Sequence, residues 1–133
     1  MKSTASGGQQ LFDPGVARNV ACVLLGAAAL ASKARYSGPH TALVHSYGGN
    51  VAASFAVYFI LATPLSRLKF GRAIRAILAL AVVDIFEATD GFQVMANTYD
   101  PVDYLANGVG IVLALIADAV AARVAGRSQS GKL

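Results

Sequence analysis

The sequence predicts an all-α integral membrane bundle of about four transmembrane helices with both termini inside (N-in/C-in), and three observations carry that expectation. Hydrophobic residues make up 56% of the 133 and charged residues only 14%, with a mean hydropathy of +0.56; this is too apolar for a soluble domain of such size. The apolar residues fall into four continuous stretches, 17–32, 47–64, 73–89 and 102–124. The basic residues gather at alternate ends of those stretches, as the spans of a multi-pass protein require.

The first stretch, 17–32, is short against the roughly 17 to 25 residues that a span needs. Arg18, the apolar run from Val20 and the small Ala29-Leu30-Ala31 also imitate the three parts of a cleaved signal peptide, although the polar leader before Arg18 is long for one. Removal of that segment would leave the other three helices oriented as before. Its lone Cys22 rules out an internal disulfide and a multi-cysteine metal site, and reads as a small packing residue.

The second stretch, 47–64, is long enough to span, and places Asn50, Ser54 and Tyr58 at four-residue spacing on one face. Gly48-Gly49 at its start reads as a flexible entry or a close-packing point. The third, 73–89, is marginal in length and carries Ile77, Leu80, Asp84, Glu87 and Gly91 on a common face. The fourth, 102–124, opens with Tyr99-Asp100-Pro101-Val102-Asp103: Asp100 as N-cap, Pro101 at the first helical position, Asp103 near the positive helix end. Its face continues through Asn107, Gly110, Ala114, Ala117 and Ala121, polar and then small, a surface that lets backbones approach within one chain or between chains of a homo-oligomer. Continuous Ala/Leu-rich runs disfavour a lipid-facing barrel, whose strands alternate. Residues 1–14 and 127–133 read as disordered cytoplasmic tails flanking a 15–126 transmembrane domain.

Charge placement sets the orientation. With the amino terminus inside, Lys2, Arg18, Arg67, Lys69, Arg72, Arg75, Arg123, Arg127 and Lys132 are cytoplasmic and only Lys33 and Arg35 are outside. Asp84, Glu87, Asp90, Asp100 and Asp103 collect at the outer ends of the third and fourth helices. The net charge of +4 is explained by orientation and anionic headgroups, so nucleic acid is not an expected partner; membrane lipids are. Ionisable groups within spans cost about 2.5 to 3.5 kcal/mol each if unpaired and normally face a protein interior. The expected site is therefore a pocket near the outer leaflet lined by Asn50, Asp84, Glu87, Asp103 and Asn107, with capping accounting for Asp100. Asp118, alone in the inner half of the fourth helix, is expected to pair with Arg75 or Arg123 or to snorkel.

A glutamate late in the third helix, a short loop, then Asp-x-x-Asp-x-x-x-Asn-x-x-Gly opening the fourth resembles the VanZ-like family of small membrane proteins from glycopeptide-resistance clusters. The matching residues are Glu87, Asp100, Asp103, Asn107 and Gly110, with His45, Tyr47 and Asn50 loosely similar to that family's histidine- and tyrosine-bearing segment. The resemblance spans about the last two thirds of the chain. It departs three residues after the glutamate, where Asp90 replaces a usual glutamine, and Asp84 is an added carboxylate. It implies a bacterial multi-pass protein of the cytoplasmic membrane, envelope-associated, contributing to teicoplanin tolerance.

Three activities use the same residues. In the favoured, non-enzymatic one, Glu87 and Asp103 hold a cation or amine of a lipid-linked or amphipathic ligand, and Asn107 and Asn50 orient its polar groups, with no cofactor and no resident metal. In a membrane-embedded hydrolase or transferase, Asp84 or Glu87 is the acid and Asp103 the base or a metal ligand, with His40 and His45 on the same side; no His-x-x-x-His or Glu-x-x-His spacing supports it. A proton or ion pathway would need polar residues across the whole bilayer, for which Asp118 is a thin supply.

Overall fold

A computed structural model describes residues 13–89 and 100–131. Among them the structure is helical throughout: α1 (Pro14–Ser32), a short 3-10 turn (Lys33–Arg35), α2 (Thr41–Arg67), α3 (Arg72–Ala88) and α4 (Pro101–Ser130). Both helices that start on proline are capped alike. The Asp13 carboxylate accepts from the Gly15 N–H at 2.8 Å and the Asp100 carboxylate from the Val102 N–H at 2.9 Å, each supplying an acceptor to a first-turn donor that has no intrahelical partner.

Three segments are long and apolar enough to cross a membrane: Pro14–Arg35, Thr41–Arg67 and Pro101–Ser130. The four expected helices are therefore present, and three qualify as spans by length and composition. The first, marginal as a stretch of apolar residues, reaches spanning length because α1 starts at Pro14 and has 19 residues, which the 3-10 turn extends further. α3, with 17 residues, is about 26 Å long at 1.5 Å per residue. Two boundaries differ from the sequence expectation. α2 begins at Thr41, so His45 lies inside the helix rather than ahead of it, and Gly48-Gly49 fall two turns in rather than at its start. α4 runs to Ser130, past the expected boundary at 126, because Arg-Val-Ala-Gly-Arg-Ser-Gln contains no proline and continues the helical ladder until Gly131 caps it. Pro14, expected in the amino-terminal tail, is the first residue of α1.

α2 is the central helix. It packs on α1, α3 and α4; α3 and α4 touch each other; the backbone of α1 lies close to α2 and the turn, and α1 reaches α4 through the Arg18 side chain. Successive helices run antiparallel, so α2 and α4 run parallel, with Tyr47 of α2 level with Asp100 and Ser54 level with Asn107. Small residues permit the approach. A Cβ on Gly110 would collide with the Val51 carbonyl oxygen and lie 2.9 Å from Ser54 Cβ; one on Gly26 would lie 2.9 Å from Ala56 Cβ and 3.0 Å from the Ala52 oxygen. The core is Tyr58, Phe59, Ala62, Ala76, Ala79, Ile111 and Ala114. Large aliphatic side chains face outward instead, among them Leu24, Leu25, Ile85, Leu105, Val112 and Val124. Small and polar inside, large and apolar outside, is the arrangement that suits packing in lipid.

The expected faces of α2 and α4 are the packed ones: Ser54 and Tyr58 are fully buried and Asn50 partly; Asp103, Asn107, Gly110 and Ala114 are buried, Ala117 and Ala121 partly. The face expected for α3 is rotated. Ile77 is 67% exposed, and Ala76, Ala79 and Val83 are buried in its place, with Leu80, Asp84 and Glu87 at the margin. Alanines let α3 lie close to α2 and α4, whereas Ile77 gains as much from lipid as from protein. Gly91, Asp90 and Gln93 lie outside the described residues.

Candidate functional site

Polar side chains form two layers inside the bundle, separated by an apolar one. The layer at the Asp100 end contains the residues expected for a pocket. Asn107 is its hinge: the amide oxygen accepts from Ser54 Oγ at 2.9 Å, and the amide nitrogen donates to Asp84 Oδ1 at 3.1 Å. One side chain of α4 thus joins α2 and α3. Both hydrogen bonds use the amide in the only way that suits a hydroxyl on one side and a carboxylate on the other.

Asp84 and Asn107 are therefore brought together, with Ser54 as the third member. Asp103 stands one turn before Asn107 on the same face of α4, 7% exposed. Asn50 precedes Ser54 by one turn, and Glu87 follows Asp84 by three residues; both are partly buried. Asn50 and Asp103 make no hydrogen bond to the Asp84–Asn107 pair among the described residues. Above this layer Tyr47 donates its phenol to Asp100 Oδ2 at 2.9 Å, while Asp100 Oδ1 caps α4. Asp100 is occupied on both oxygens by structural work, as expected of a cap.

Among the described residues none of Asp84, Asp100 and Asp103 has an arginine or lysine at ion-pair distance; the three ion pairs all belong to Asp118. The segment 90–99 adds Asp90 and no basic residue. Lys33 and Arg35 lie at the same end on the far side of α2, where Lys33 Nζ donates to the His45 carbonyl at 3.4 Å. A groove of ≈ 450 Å³ between α1 and α2, lined by Ala29, Ser32, Lys33, Tyr36 and Val44, opens there. His45 Nε2 lies 3.0 Å from the Tyr36 carbonyl and His40 occupies a left-handed turn at φ 58. Among the described residues no three metal-ligating side chains come together.

The second layer lies 11 residues further along α4, about 16 Å at the helical rise. Its centre is Asp118, 3% exposed. The Tyr58 hydroxyl donates to Oδ2 at 2.7 Å. Arg18 Nη2 stands 3.1 Å from Oδ1, Arg72 Nε 3.3 Å and Arg75 Nη1 3.7 Å from Oδ2. Asn19 beside Arg18 accepts from that guanidinium and donates to Thr63 Oγ1 at 3.1 Å. Four helices thus meet at one carboxylate. Arg75 is a partner, as expected; Arg123 is exposed and not one. Five residues on is about 140° round the helix, off Asp118's face. The sequence reading missed Arg18 and Arg72, yet carried a signal for both. The amino-terminal ends of α1 and α3, which carry Arg18, Arg72 and Arg75, fall level with Asp118.

Between the layers α4 buries Gly110, Ile111 and Ala114, and α2 buries Phe59. Phe55 and Tyr58 pack their rings on Phe59 at 5.1 Å centroid separation. This apolar layer interrupts the polar side chains that a continuous proton or ion route would use.

No family model, curated protein or solved structure matches the chain; what the molecule itself establishes is an all-helical chain with three helices long and apolar enough to cross a membrane, built as a multi-pass membrane protein is.

Proposed function

We propose that the chain is a non-enzymatic envelope protein of the bacterial cytoplasmic membrane. On this reading it has four spans with both termini inside, and its acidic polar layer faces the outer leaflet and binds the amine or cationic group of a lipid-linked or amphipathic ligand. The observation that carries this reading is the Asp84–Asn107–Ser54 bridge with Asp103 buried one turn above it, carboxylates held at a membrane-embedded interface without a cationic partner among the described residues. Carboxylates in a low-dielectric setting favour a cation that enters with them. Asn107 fixes the Asp84 carboxylate; Asp103 and Glu87 would meet the ligand's charge and Asn50 its polar groups. The resemblance of Glu87, Asp100, Asp103, Asn107 and Gly110 to the VanZ-like pattern suggests glycopeptide tolerance as the phenotype.

The test is expression in a glycopeptide-sensitive bacterium, scoring teicoplanin susceptibility for the native chain, Asp103→Asn and Glu87→Gln. Protection by the native chain, lost in each variant at equal membrane abundance, is the expected result. Protection undiminished in the doubly substituted chain would make the acidic layer structural only. A comparison of lipid and cell-wall precursors by mass spectrometry should show the same inventory with and without the gene; a new or missing species would point to chemistry instead of binding.

A further inference from the structure

The Asp118 layer carries more positive charge than its carboxylate can use. Three guanidinium groups, from Arg18, Arg72 and Arg75, surround one carboxylate, leaving two positive charges in excess. Arg75 is the committed member, 16% exposed, with Nε donating to the Phe70 carbonyl at 3.1 Å. Arg72 and Arg18 are half- to one-third exposed, at 46% and 33%. Arg72 stands 3.3 Å from Asp118 Oδ2 through Nε, and among the described residues its terminal nitrogens make no hydrogen bond. Arg72 is also the first residue of α3, which starts on Gly71 with no side-chain cap and no acidic residue in its first turn. Lys69 sits in the connection just before it.

The depth fits a phospholipid. Asp118 is 17 residues into α4 from Pro101, about 26 Å by helical rise, against a hydrocarbon core of about 30 Å. If α4 enters at one interface, the arginines emerge at the phosphate level of the other, and the exposed Ile74 and Ile77 of α3 offer lipid-facing walls below them. We propose that Arg72, with Arg18 and Arg75 behind it, binds the phosphate of an anionic phospholipid in the leaflet where the arginines lie. Asp118 orients the guanidinium groups from the protein side, and the phosphate takes the outward-facing donors, a bidentate match that arginine suits better than lysine. The leaflet is the cytoplasmic one if the orientation proposed above holds; the binding itself does not depend on it, and the test reads binding alone.

The experiment uses the full chain, purified in a neutral detergent, titrated with phosphatidylglycerol or phosphatidylcholine and followed by native mass spectrometry and thermal unfolding. Phosphatidylglycerol is expected to remain bound at a concentration about tenfold below that needed for phosphatidylcholine. Arg72→Gln should reduce that preference about fivefold, an effect of the size one arginine contributes near an anionic surface, and should lower the melting temperature without lipid far less than Asp118→Asn does, because Arg18 and Arg75 still pair with Asp118. Arg72→Lys should retain part of the preference. Equal retention of the two lipids by the native chain would overturn the proposal without any variant being needed. Stabilisation by inorganic phosphate alone, matching that of phosphatidylglycerol at the same concentration, would also overturn it, by assigning the arginines to a free anion.

Discussion

Asp118 and Asn107 show how differently single polar residues act inside this bundle. Asp118 accepts from Tyr58 and is paired with three arginines, so Asp118→Asn leaves three guanidinium groups facing a neutral amide. Breaking a buried pair from one side costs about 3 to 5 kcal/mol, and the partly exposed arginines hold this case to the low end. Detergent-solubilised protein should show it as a melting temperature lowered by several degrees. Asn107→Leu removes two interhelical hydrogen bonds in one step and takes the donor from the Asp84 carboxylate, which is less buried than Asp118, but it breaks no ion pair. Such bonds contribute on average about 0.6 kcal/mol each within membranes, so the expected loss is about 1 kcal/mol. A larger loss for Asn107→Leu than for Asp118→Asn would reverse this ranking. Asp84 and Asn107 stood out in the sequence because carboxylates and amides in apolar runs are conspicuous, whereas the hydrogen bond that makes Ser54 their third member was not legible. Of the partners of Asp118, Arg75 was anticipated and Arg18 and Arg72 were not, since only the antiparallel packing brings those two level with it.

At the scale of elements, the glycines separate close packing from mere helical tolerance. Gly110 and Gly108 occupy the same helix two residues apart. A Cβ at Gly110 meets the Val51 carbonyl and Ser54, whereas one at Gly108 meets nothing within 4 Å. Gly110→Ala should therefore push α4 from α2 and disturb the Ser54–Asn107 bond, lowering thermal stability. Gly108→Ala should be neutral or stabilising by up to about 1 kcal/mol, the difference in helix propensity. Equal melting temperatures for the two variants would mean that α2 and α4 are not in this close register. The small-residue stripe of α4 announced this contact in the sequence. The rotation of α3 went unread because Ile77 and Ala76 are both apolar, and hydropathy alone does not say which meets protein and which meets lipid. The start of α2 was misplaced for a related reason: His45, Ser46 and Gly48-Gly49 lower the local hydropathy without breaking a helix that Thr41 begins.

For the whole molecule the open question in the architecture is α3, the helix too short to qualify as a span by itself. Its two ends are tied to α4 at two depths. Arg75 reaches Asp118 and Asp84 reaches Asn107, nine residues apart on α3 and eleven on α4, about 14 Å and 16 Å along antiparallel axes. α3 thus accompanies α4 through the middle of its length, and α4 is itself long and apolar enough to cross. A helix about 26 Å long can still span by local thinning and by arginines that reach the interface from its first turn, at a cost of fractions of a kcal/mol per Å. Single cysteines introduced on a Cys22→Ala background decide the matter in intact cells with a membrane-impermeant thiol reagent. Ser37→Cys, between α1 and α2, and Thr89→Cys, after α3, should label without permeabilisation, and Leu68→Cys, between α2 and α3, only after it. Thr89→Cys behaving as Leu68→Cys does would place α3 on one side and leave three spans. The mirror-image pattern would keep four spans and put the acidic layer in the cytoplasmic half, removing the outer-leaflet ligand from consideration while leaving the arginine layer its lipid.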